Sequence, residues 1–167
     1  METFLARCAS YFAPPSAYPN LPEDPAELLD FAFERDVAMY EFLWESRGLL
    51  RTLATNPAAH ERQVAVFRAA IDETSRQWTE HYKAEGWFRD DVDVDLATAL
   101  VSGAYNQLTL VMLAAGDQRP PLEDWLSFAQ LSFARAFGST ELLRVIDARS
   151  RRSNIEVLVR AARAADR

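Results

Sequence analysis

The chain has 167 residues, of which 49% are hydrophobic and 11% aromatic, so it can build a sizeable core, and disorder throughout is not expected. Its formal net charge of -7 argues against a general nucleic-acid binder, because contacts to phosphates need a basic surface. A single cysteine, Cys8, rules out an intrachain disulfide and gives no sign of a secreted, disulfide-stabilised domain.

The charge is unevenly distributed along the chain. Residues 139–167 hold seven arginines and four acidic residues, a net charge of +3, whereas residues 1–138 carry -10. No apolar run approaches the ~20 residues that span a bilayer. Residues 1–12 lack the basic start and apolar core of a signal peptide. We therefore expect a cytoplasmic protein of bacterial type that has no membrane partner.

The first 24 residues are predicted to form an N-terminal appendage. Residues 2–12 have the spacing of a short helix, which is too short to be stable alone and must pack on the rest of the chain. Prolines at positions 14, 15, 19, 22 and 25 then predict a non-helical linker. Because no basic residues flank it, we interpret the linker as structural rather than as a ligand of an SH3-type domain.

A helix predicted over about residues 25–54 is buried. Pro25 suits its first turn. Apolar residues occupy almost all of its circumference, which is typical of a helix at the centre of a protein. Arg35, Glu41, Glu45 and Arg51 are expected to mark the solvent face that remains.

After a break at Asn56 and Pro57, a third helix is predicted over about residues 58–85. Its apolar positions, spaced by three or four, include Phe67, Ile71 and Trp78, while its other side is polar. This pattern is typical of an amphipathic helix that lies over a buried one.

The segment from Gly86 to Met112 starts with a turn and continues as a long helix. Gly86 ends the preceding helix, and Asp93 or Asp95 can cap the next one, since a carboxylate there accepts hydrogen bonds from free backbone N–H groups. The helix, over about residues 95–115, is apolar but carries polar side chains at its middle: Ser102, Tyr105, Asn106, Gln107 and Thr109. Such groups are either satisfied internally or offered to a ligand or a partner.

Two further helical segments complete the chain. Pro120 and Pro121 precede a helix predicted over about residues 122–137, which Gly138 ends. The basic segment 139–167 is expected to hold a short helix to about residue 148 and a second helix over 153–165. We find no strand-like alternation and no internal repeat. The predicted fold is therefore all-α, an antiparallel helical bundle.

The sequence lacks the usual motifs of an enzyme or a metal site. His60 and His81 are far apart, and we expect both to have surface roles. The acidic cluster 91–95 has the spacing of a calcium loop, but Leu96 and Ser102 stand where that loop needs Gly and Glu. There is no glycine-rich phosphate loop and no nucleophile elbow. We therefore expect no catalytic residue, no metal and no cofactor, and interpret the protein as a non-enzyme.

Three segments and their order carry a family resemblance. A buried helix ends in FLWESRGLLRTLA (42–54), an amphipathic helix leads into GWFRDDVDVDLATALVSGAYNQL (86–108), and a later helix ends in LSFARAFG (131–138). Four features match: the Gly–apolar–Phe–Arg turn, the helix start at Asp93, the small residues that follow it, and the aromatic–Gly pair that ends the last helix. Together they resemble the C-terminal effector-binding and dimerisation domain of TetR-family transcriptional regulators, over about residues 25–138.

The chain departs from that family at both ends. Nothing before Pro25 matches the family's N-terminal helix-turn-helix, so we expect either a fragment or a chain without its own DNA reader. The family usually ends near Gly138, whereas here a basic segment continues. We accordingly divide the chain into the N-terminal helix and linker 1–24, the helical effector-binding and dimerisation domain 25–138, and the basic extension 139–167.

The resemblance implies a homodimer. In such domains the last two bundle helices, here 95–115 and 122–137, pair with their two-fold mates in an isologous contact. The implied interface mixes large anchors with small residues that let backbones approach: Trp125, Phe128, Ser132 and Phe133. Alternatively, these aromatic side chains fill the core of one protomer.

The resemblance also implies an effector pocket inside the bundle. Its candidate lining residues are Tyr40, Trp44, Phe67, Ile71, Trp78, Tyr105, Asn106, Thr109 and Met112. Tyr105, Asn106 and Thr109 would supply hydrogen bonds in an otherwise apolar cavity. No charged group lies among them, so we expect an uncharged, partly aromatic or aliphatic effector. Alternatively, the aromatic stripe is plain core.

Two functions remain open. The first is the ligand-sensing and dimerisation domain of a TetR-like regulator, in which a small-molecule effector biases two arrangements of the bundle. DNA would then be reached only through the missing helix-turn-helix domain or through a partner. The alternative is a non-sensing, dimeric interaction module with a collapsed pocket, whose basic tail binds the acidic surface of a partner.

Overall fold

The structure is a computed structural model that describes residues 10–54 and 57–148, including all side chains in these ranges except those of residues 53, 54, 57–64 and 67. Its helices are α1 (Pro25–Glu45), α2 (Arg47–Ala54), α3 (Pro57–Ala84), α4 (Val94–Ala114), α5 (Leu122–Phe137) and α6 (140–148), preceded by a 3-10 turn at Pro15–Ala17. No β-strand occurs in the described ranges. The predicted all-α class is therefore confirmed.

Aspartate side chains fix the starts of α1 and α4. The backbone N–H groups of Ala26 and Glu27 donate to Oδ1 of Asp24 at 2.9 and 3.1 Å, and Pro25 occupies the first turn of α1. At α4, the N–H of Leu96 donates to Oδ1 of Asp93 at 2.9 Å. Of the two predicted candidates, Asp93 therefore supplies the cap, because its side chain reaches the free N–H groups of the first turn.

The helix predicted over 25–54 is interrupted, and our expectation of one continuous helix was wrong. Its first part ends at Glu45, and Ser46 leaves the helical conformation with φ -85° and ψ 1°. Arg47 Nη1 donates to the backbone oxygen of Trp44 at 3.0 Å, and its guanidinium lies 4.1 Å from the centroid of the Trp44 ring. The side chain thereby satisfies a carbonyl that would otherwise accept from the next helical turn. Gly48, a weak helix former, follows this break.

Helix α1 is the central element of the bundle, as its apolar circumference predicts. Its second half forms a core cluster with α4 and α5, whose buried members are Met39, Tyr40, Leu43, Trp44, Met112, Leu122 and Leu126. A second cluster lies at the other end of α5 and contains Phe88, Val92, Ala97, Ala134, Leu142 and Ile146.

Helix α6 packs against the bundle, although its sequence belongs to the segment that we separated as an extension. Leu142 and Ile146 are 4% and 0% exposed and belong to the second core cluster. Residues 140–148 are helical, as predicted for this segment, and the predicted end of that helix is not covered by the described residues. The predicted helix 153–165 lies outside the described residues.

The turn between α3 and α4 is hydrogen-bonded to the turn after α5. The N–H of Arg89 donates to the backbone oxygen of Phe137 at 3.0 Å, and the N–H of Ser139 donates to that of Trp87 at 2.7 Å. Gly138 is required in this arrangement, because a Cβ atom there would lie 2.2 Å from the backbone oxygen of Ala134. We call this pair of bonded turns the clasp. It closes one end of the bundle.

Helix α4 has two contrasting faces. Ala97, Thr98, Ser102 and Met112 are buried in the bundle, whereas Leu96, Leu100 and Leu110 are 61%, 52% and 61% exposed. The helix has 21 residues and a mean hydropathy of 1.3, which meet the length and composition of a membrane span. This corrects our expectation that no run approaches that length. Length and composition alone do not distinguish a spanning helix from a bundle helix with an uncovered apolar face.

Candidate functional site

A partly open cavity of about 120 Å³ lies between α1, α3, α4 and α5. Its walls are mostly aliphatic and aromatic and include Leu28, Leu29, Ala32, Trp78, Tyr82, Phe88, Val101, Phe133 and Leu142. We call this space the main cavity. An apolar chamber with a few polar groups on its wall is the usual form of a small-molecule site.

A buried ion pair, Arg35–Asp36, forms the polar part of the wall. Asp36 is 3% exposed. Its Oδ1 accepts from Nε and Nη2 of Arg35 at 3.2 and 2.9 Å. Its Oδ2 accepts from the hydroxyl of Tyr105 and from Nε2 of Gln130, the latter at 3.3 Å. Four donors from α1, α4 and α5 therefore converge on one carboxylate, which compensates for the cost of burying its charge.

Protonation in this cluster follows from burial and from the neighbouring charges. Burial, followed by the negative charge of Asp36, raises the pKa of Tyr105 well above its ordinary value. Burial acts to lower the pKa of Arg35, but the carboxylate of Asp36 outweighs it and raises that pKa above its ordinary value. Tyr105 thus remains a hydroxyl donor and Arg35 remains a cation throughout the neutral pH range.

One nitrogen of Arg35 is left without a partner. Its Nη1 is buried and makes no hydrogen bond within the described part of the chain. The guanidinium carbon lies 4.4 Å from the centroid of the Trp78 ring, another wall of the main cavity. A buried N–H donor without an acceptor is costly. Arg35, a residue on the wall of the main cavity, therefore holds one unused donor.

Our placement of Arg35 on the solvent face of its helix was wrong. Its side chain is 17% exposed, because the neighbouring Asp36 neutralises its charge and the Trp78 ring covers its guanidinium. Asp36 and Gln130 were also absent from our candidate residues. The signal for Asp36 was its position four residues after Ala32 and four before Tyr40, on the buried face of α1.

A smaller cavity of about 50 Å³ adjoins the same ion pair. Arg35, Asp36, Thr74, Ser75 and Tyr105 line both spaces. In the smaller one, the hydroxyl of Tyr40 donates to the backbone oxygen of Tyr105 at 2.7 Å, and Oγ1 of Thr109 donates to the same oxygen at 3.0 Å. These hydroxyl donors are therefore used within the protein.

The predicted pocket residues separate into groups. Trp78 and Tyr105 line the main cavity, whereas Tyr40, Ile71, Tyr105 and Thr109 line the smaller one. Trp44 and Met112 belong to the first core cluster, and neither lines a cavity described here. Asn106 lies in a polar groove between α3 and α4, because consecutive helical residues point in different directions. The side chain of Phe67 lies outside the described residues.

An apolar surface groove between α4 and α5 contains all four residues predicted for the dimer interface. It is lined by Ala104, Gln107, Leu108, Val111, Trp125, Phe128, Ala129, Ser132 and Phe133. Phe128 is 75% exposed, and Phe133 also lines the main cavity. We call this surface the apolar groove. Of its aromatic side chains, Phe128 lies outside the protomer core, whereas Trp125 packs against the first core cluster.

His81 does not have the surface position that we expected. Its ring lies among those of Trp78, Tyr82 and Trp87, with centroid separations of 6.0, 5.9 and 6.2 Å. Within residues 10–54 and 57–148, no group of three His, Cys, Asp or Glu side chains is placed to hold a metal ion. Among the described residues that are buried, Asp36 is the only one with a charged side chain.

Comparison with known proteins adds no relative to these observations. No protein-family model, no curated protein and no solved structure matches this chain. A functional conclusion must therefore come from the main cavity, the apolar groove and the resemblance carried by the sequence.

Proposed function

We propose that this protein is the dimeric, ligand-sensing domain of a TetR-like transcriptional regulator and that its main cavity binds an uncharged, largely apolar small molecule. The observation that carries the proposal is the cavity itself, a chamber of about 120 Å³ with apolar walls and one polar cluster. An apolar cavity of about 150 Å³ is large enough to bind benzene. A compound of one small ring is therefore the appropriate ligand size for this arrangement of the helices.

The polar side chains on the cavity wall favour a ligand-sensing role over that of a filled hydrophobic core. Arg35 and Asp36 belong to α1, Tyr105 to α4 and Gln130 to α5, and all four line the main cavity. A ligand in the cavity would therefore contact groups that connect three helices. A ligand can shift a conformational equilibrium only by contacting its two states differently. Contacts to side chains from three helices would differ between two arrangements of those helices, so they would allow a ligand to favour one arrangement.

The apolar groove supports the dimer part of the proposal. A soluble monomer rarely exposes a large continuous apolar surface, and such a surface usually marks an interaction site. Helices α4 and α5 would face their two-fold mates, with Phe128 and Trp125 as anchors. Because Phe133 lines both the groove and the cavity, ligand binding and the geometry of the dimer would be coupled.

Such a sensor would act by changing how the regulator contacts DNA. DNA would be contacted through a helix-turn-helix domain outside these 167 residues or through a partner protein. We propose a cytoplasmic location, in which α4 is covered by a second protomer rather than by lipid. The non-sensing interaction module remains the alternative and would be favoured by a cavity that accepts no compound.

Thermal unfolding in the presence of small cyclic compounds tests the proposal. Benzene, toluene and cyclohexanone are suitable probes, and a probe at a hundred times its Kd stabilises the folded state by about 2.7 kcal/mol. The variant Ala32→Leu narrows the cavity, since Ala32 lies on its wall. Ala69→Leu is the matched control, because Ala69 is exposed on α3.

We expect a rise in Tm for the wild type and for Ala69→Leu, and none for Ala32→Leu. If no probe raises the Tm of the wild type, the sensor proposal is wrong. If Ala32→Leu responds as the wild type does, the probe binds elsewhere, and the assignment of the cavity is wrong.

A further inference from the structure

Arg35, which lines both the main cavity and the smaller one, carries one buried hydrogen-bond donor for which the described residues provide no acceptor. Nε and Nη2 of Arg35 form one edge of the guanidinium, and both are bonded to Asp36. Nη1 points away from that edge because the group is planar, and it is buried without a partner in the described structure. An acceptor atom supplied by a ligand would remove the cost of this unused donor.

The charge of the cluster determines which acceptor is suitable. Asp36 already neutralises Arg35, and Tyr105 and Gln130 complete the hydrogen bonding of the carboxylate. A ligand carboxylate would place a second negative group beside one cation in an apolar chamber, where burying an uncompensated charge is costly. A carbonyl oxygen accepts the same hydrogen bond without adding a charge.

We propose that the main cavity selects neutral, one-ring molecules that carry a carbonyl oxygen, such as a cyclic ketone, lactone or amide, with that oxygen accepting from Nη1 of Arg35. This inference rests on the proposed function and adds a chemical class to its ligand. Trp78 would lie against both the guanidinium and the ring of the ligand. The apolar walls would enclose the remaining carbon atoms.

A matched pair of probes isolates the carbonyl oxygen. Cyclohexanone and methylenecyclohexane have nearly the same shape and differ in one oxygen, which is a CH₂ group in the second compound. Cyclopentanecarboxylate is the anionic probe of similar size. Dissociation constants from NMR titration of the full chain give the ratio of ketone to hydrocarbon affinity, and this ratio cancels the contribution of the apolar walls.

Arg35→Lys retains the positive charge beside Asp36 but removes the planar fork that positions Nη1. Arg51→Lys is the control, because Arg51 bonds the backbone oxygens of Leu113 and Gly116, away from the cavity. If Arg35→Lys does not fold, the double variant Arg35→Met/Asp36→Asn can replace it. This variant also removes the Nη1 donor and leaves no charge buried at these two positions.

We expect the ratio to fall by about tenfold or more in the Arg35 variants and to stay unchanged in Arg51→Lys, as for a lost hydrogen bond to a charged donor. A ratio that is equal in the wild type and the Arg35 variants would overturn the inference while leaving a sensing cavity in place. Tighter binding of cyclopentanecarboxylate than of cyclohexanone would also overturn it. Failure of all three probes to bind the wild type would overturn both this inference and the proposed function.

Discussion

The hydroxyl of Tyr105 in α4 donates to Oδ2 of Asp36 in α1, across 69 positions of sequence. The hydrogen bond connects the central helix to the helix that carries the apolar groove. Both partners also line the main cavity. The same contact therefore contributes to the stability of the bundle and to the polar wall of the candidate site.

Removing that hydroxyl should destabilise the fold. In Tyr105→Phe, Oδ2 of Asp36 would keep only the bond from Gln130, so we expect a loss of about 1–3 kcal/mol in the free energy of unfolding. Urea denaturation monitored by circular dichroism measures this change. Tyr18→Phe is the control, because the Tyr18 hydroxyl makes no hydrogen bond within the described residues, although its ring packs on Phe31 and Trp78. Equal losses in the two variants would contradict the role of the Asp36 contact.

Stability should fall at alkaline pH. Burial raises the pKa of Tyr40, Tyr82 and Tyr105 in the folded state, so the unfolded chain releases these protons first. The stabilisation is complete below the ordinary tyrosine pKa of about 10 and is lost as pH rises from there toward the folded values. Each such tyrosine contributes a slope of about 1.4 kcal/mol per pH unit in that window.

Urea denaturation at a series of pH values from neutral to strongly alkaline measures this slope. Tyr105→Phe should reduce the slope of the free energy of unfolding against pH by the contribution of one tyrosine, about 1.4 kcal/mol per pH unit. An unchanged slope in that variant would show that Tyr105 titrates alike in the folded and unfolded chains.

A charge in the apolar groove should prevent dimer formation. Phe128→Glu would place a carboxylate on each side of an isologous contact, where its desolvation and the repulsion of its mate are both unfavourable. We expect sedimentation analysis to give a dimer for the wild type and a monomer for the variant. Val66→Glu is the control, since Val66 is 63% exposed on α3 and does not line the groove. A wild type that stays monomeric over a wide concentration range would refute the dimer.

Gly138 should not tolerate a side chain. The alanine Cβ would lie 2.2 Å from the backbone oxygen of Ala134, so Gly138→Ala is expected to destabilise the fold by about 1–3 kcal/mol through overpacking. Gly103→Ala is the matched control, because a Cβ atom there meets nothing within 4 Å. That variant should instead gain about 0.5–1 kcal/mol, the usual advantage of alanine over glycine within a helix. Equal losses of stability in the two variants, measured by urea denaturation, would contradict the steric requirement for glycine at position 138.

The sequence predicts the helices well where local chemistry sets their ends. Pro25, Asp93 and Gly138 act on the backbone beside them, and the predicted bounds of α3, α4 and α5 agree with the structure to about one residue. The break at Ser46 was missed, because it depends on how Arg47 folds back over Trp44. Apolar periodicity continues through that point and carries no sign of it.

The polar wall of the cavity was harder to predict than its apolar part. Trp78 and Tyr105 follow from their helical spacing. Arg35 was misplaced, because a charged side chain in a helical pattern is ordinarily expected to face solvent. Its burial depends on the Trp78 ring of α3 and on Asp36. The carboxylate of Asp36 is in turn held by Tyr105 of α4 and Gln130 of α5, which lie far away in the sequence. Only the fold brings these groups to one carboxylate.

The clasp limits where the bundle can change shape. Its hydrogen bonds hold the turn after α3 and the turn after α5 together, with Arg89 Nη1 adding a bond to the backbone oxygen of Ala136 at 2.9 Å. Opening it would break several bonds at once, so the amide protons of Arg89 and Ser139 should be among the slower ones to exchange with deuterium. A rearrangement that a ligand drives would pivot about this fixed end, and the displacement would be largest at the opposite end, near Ser46.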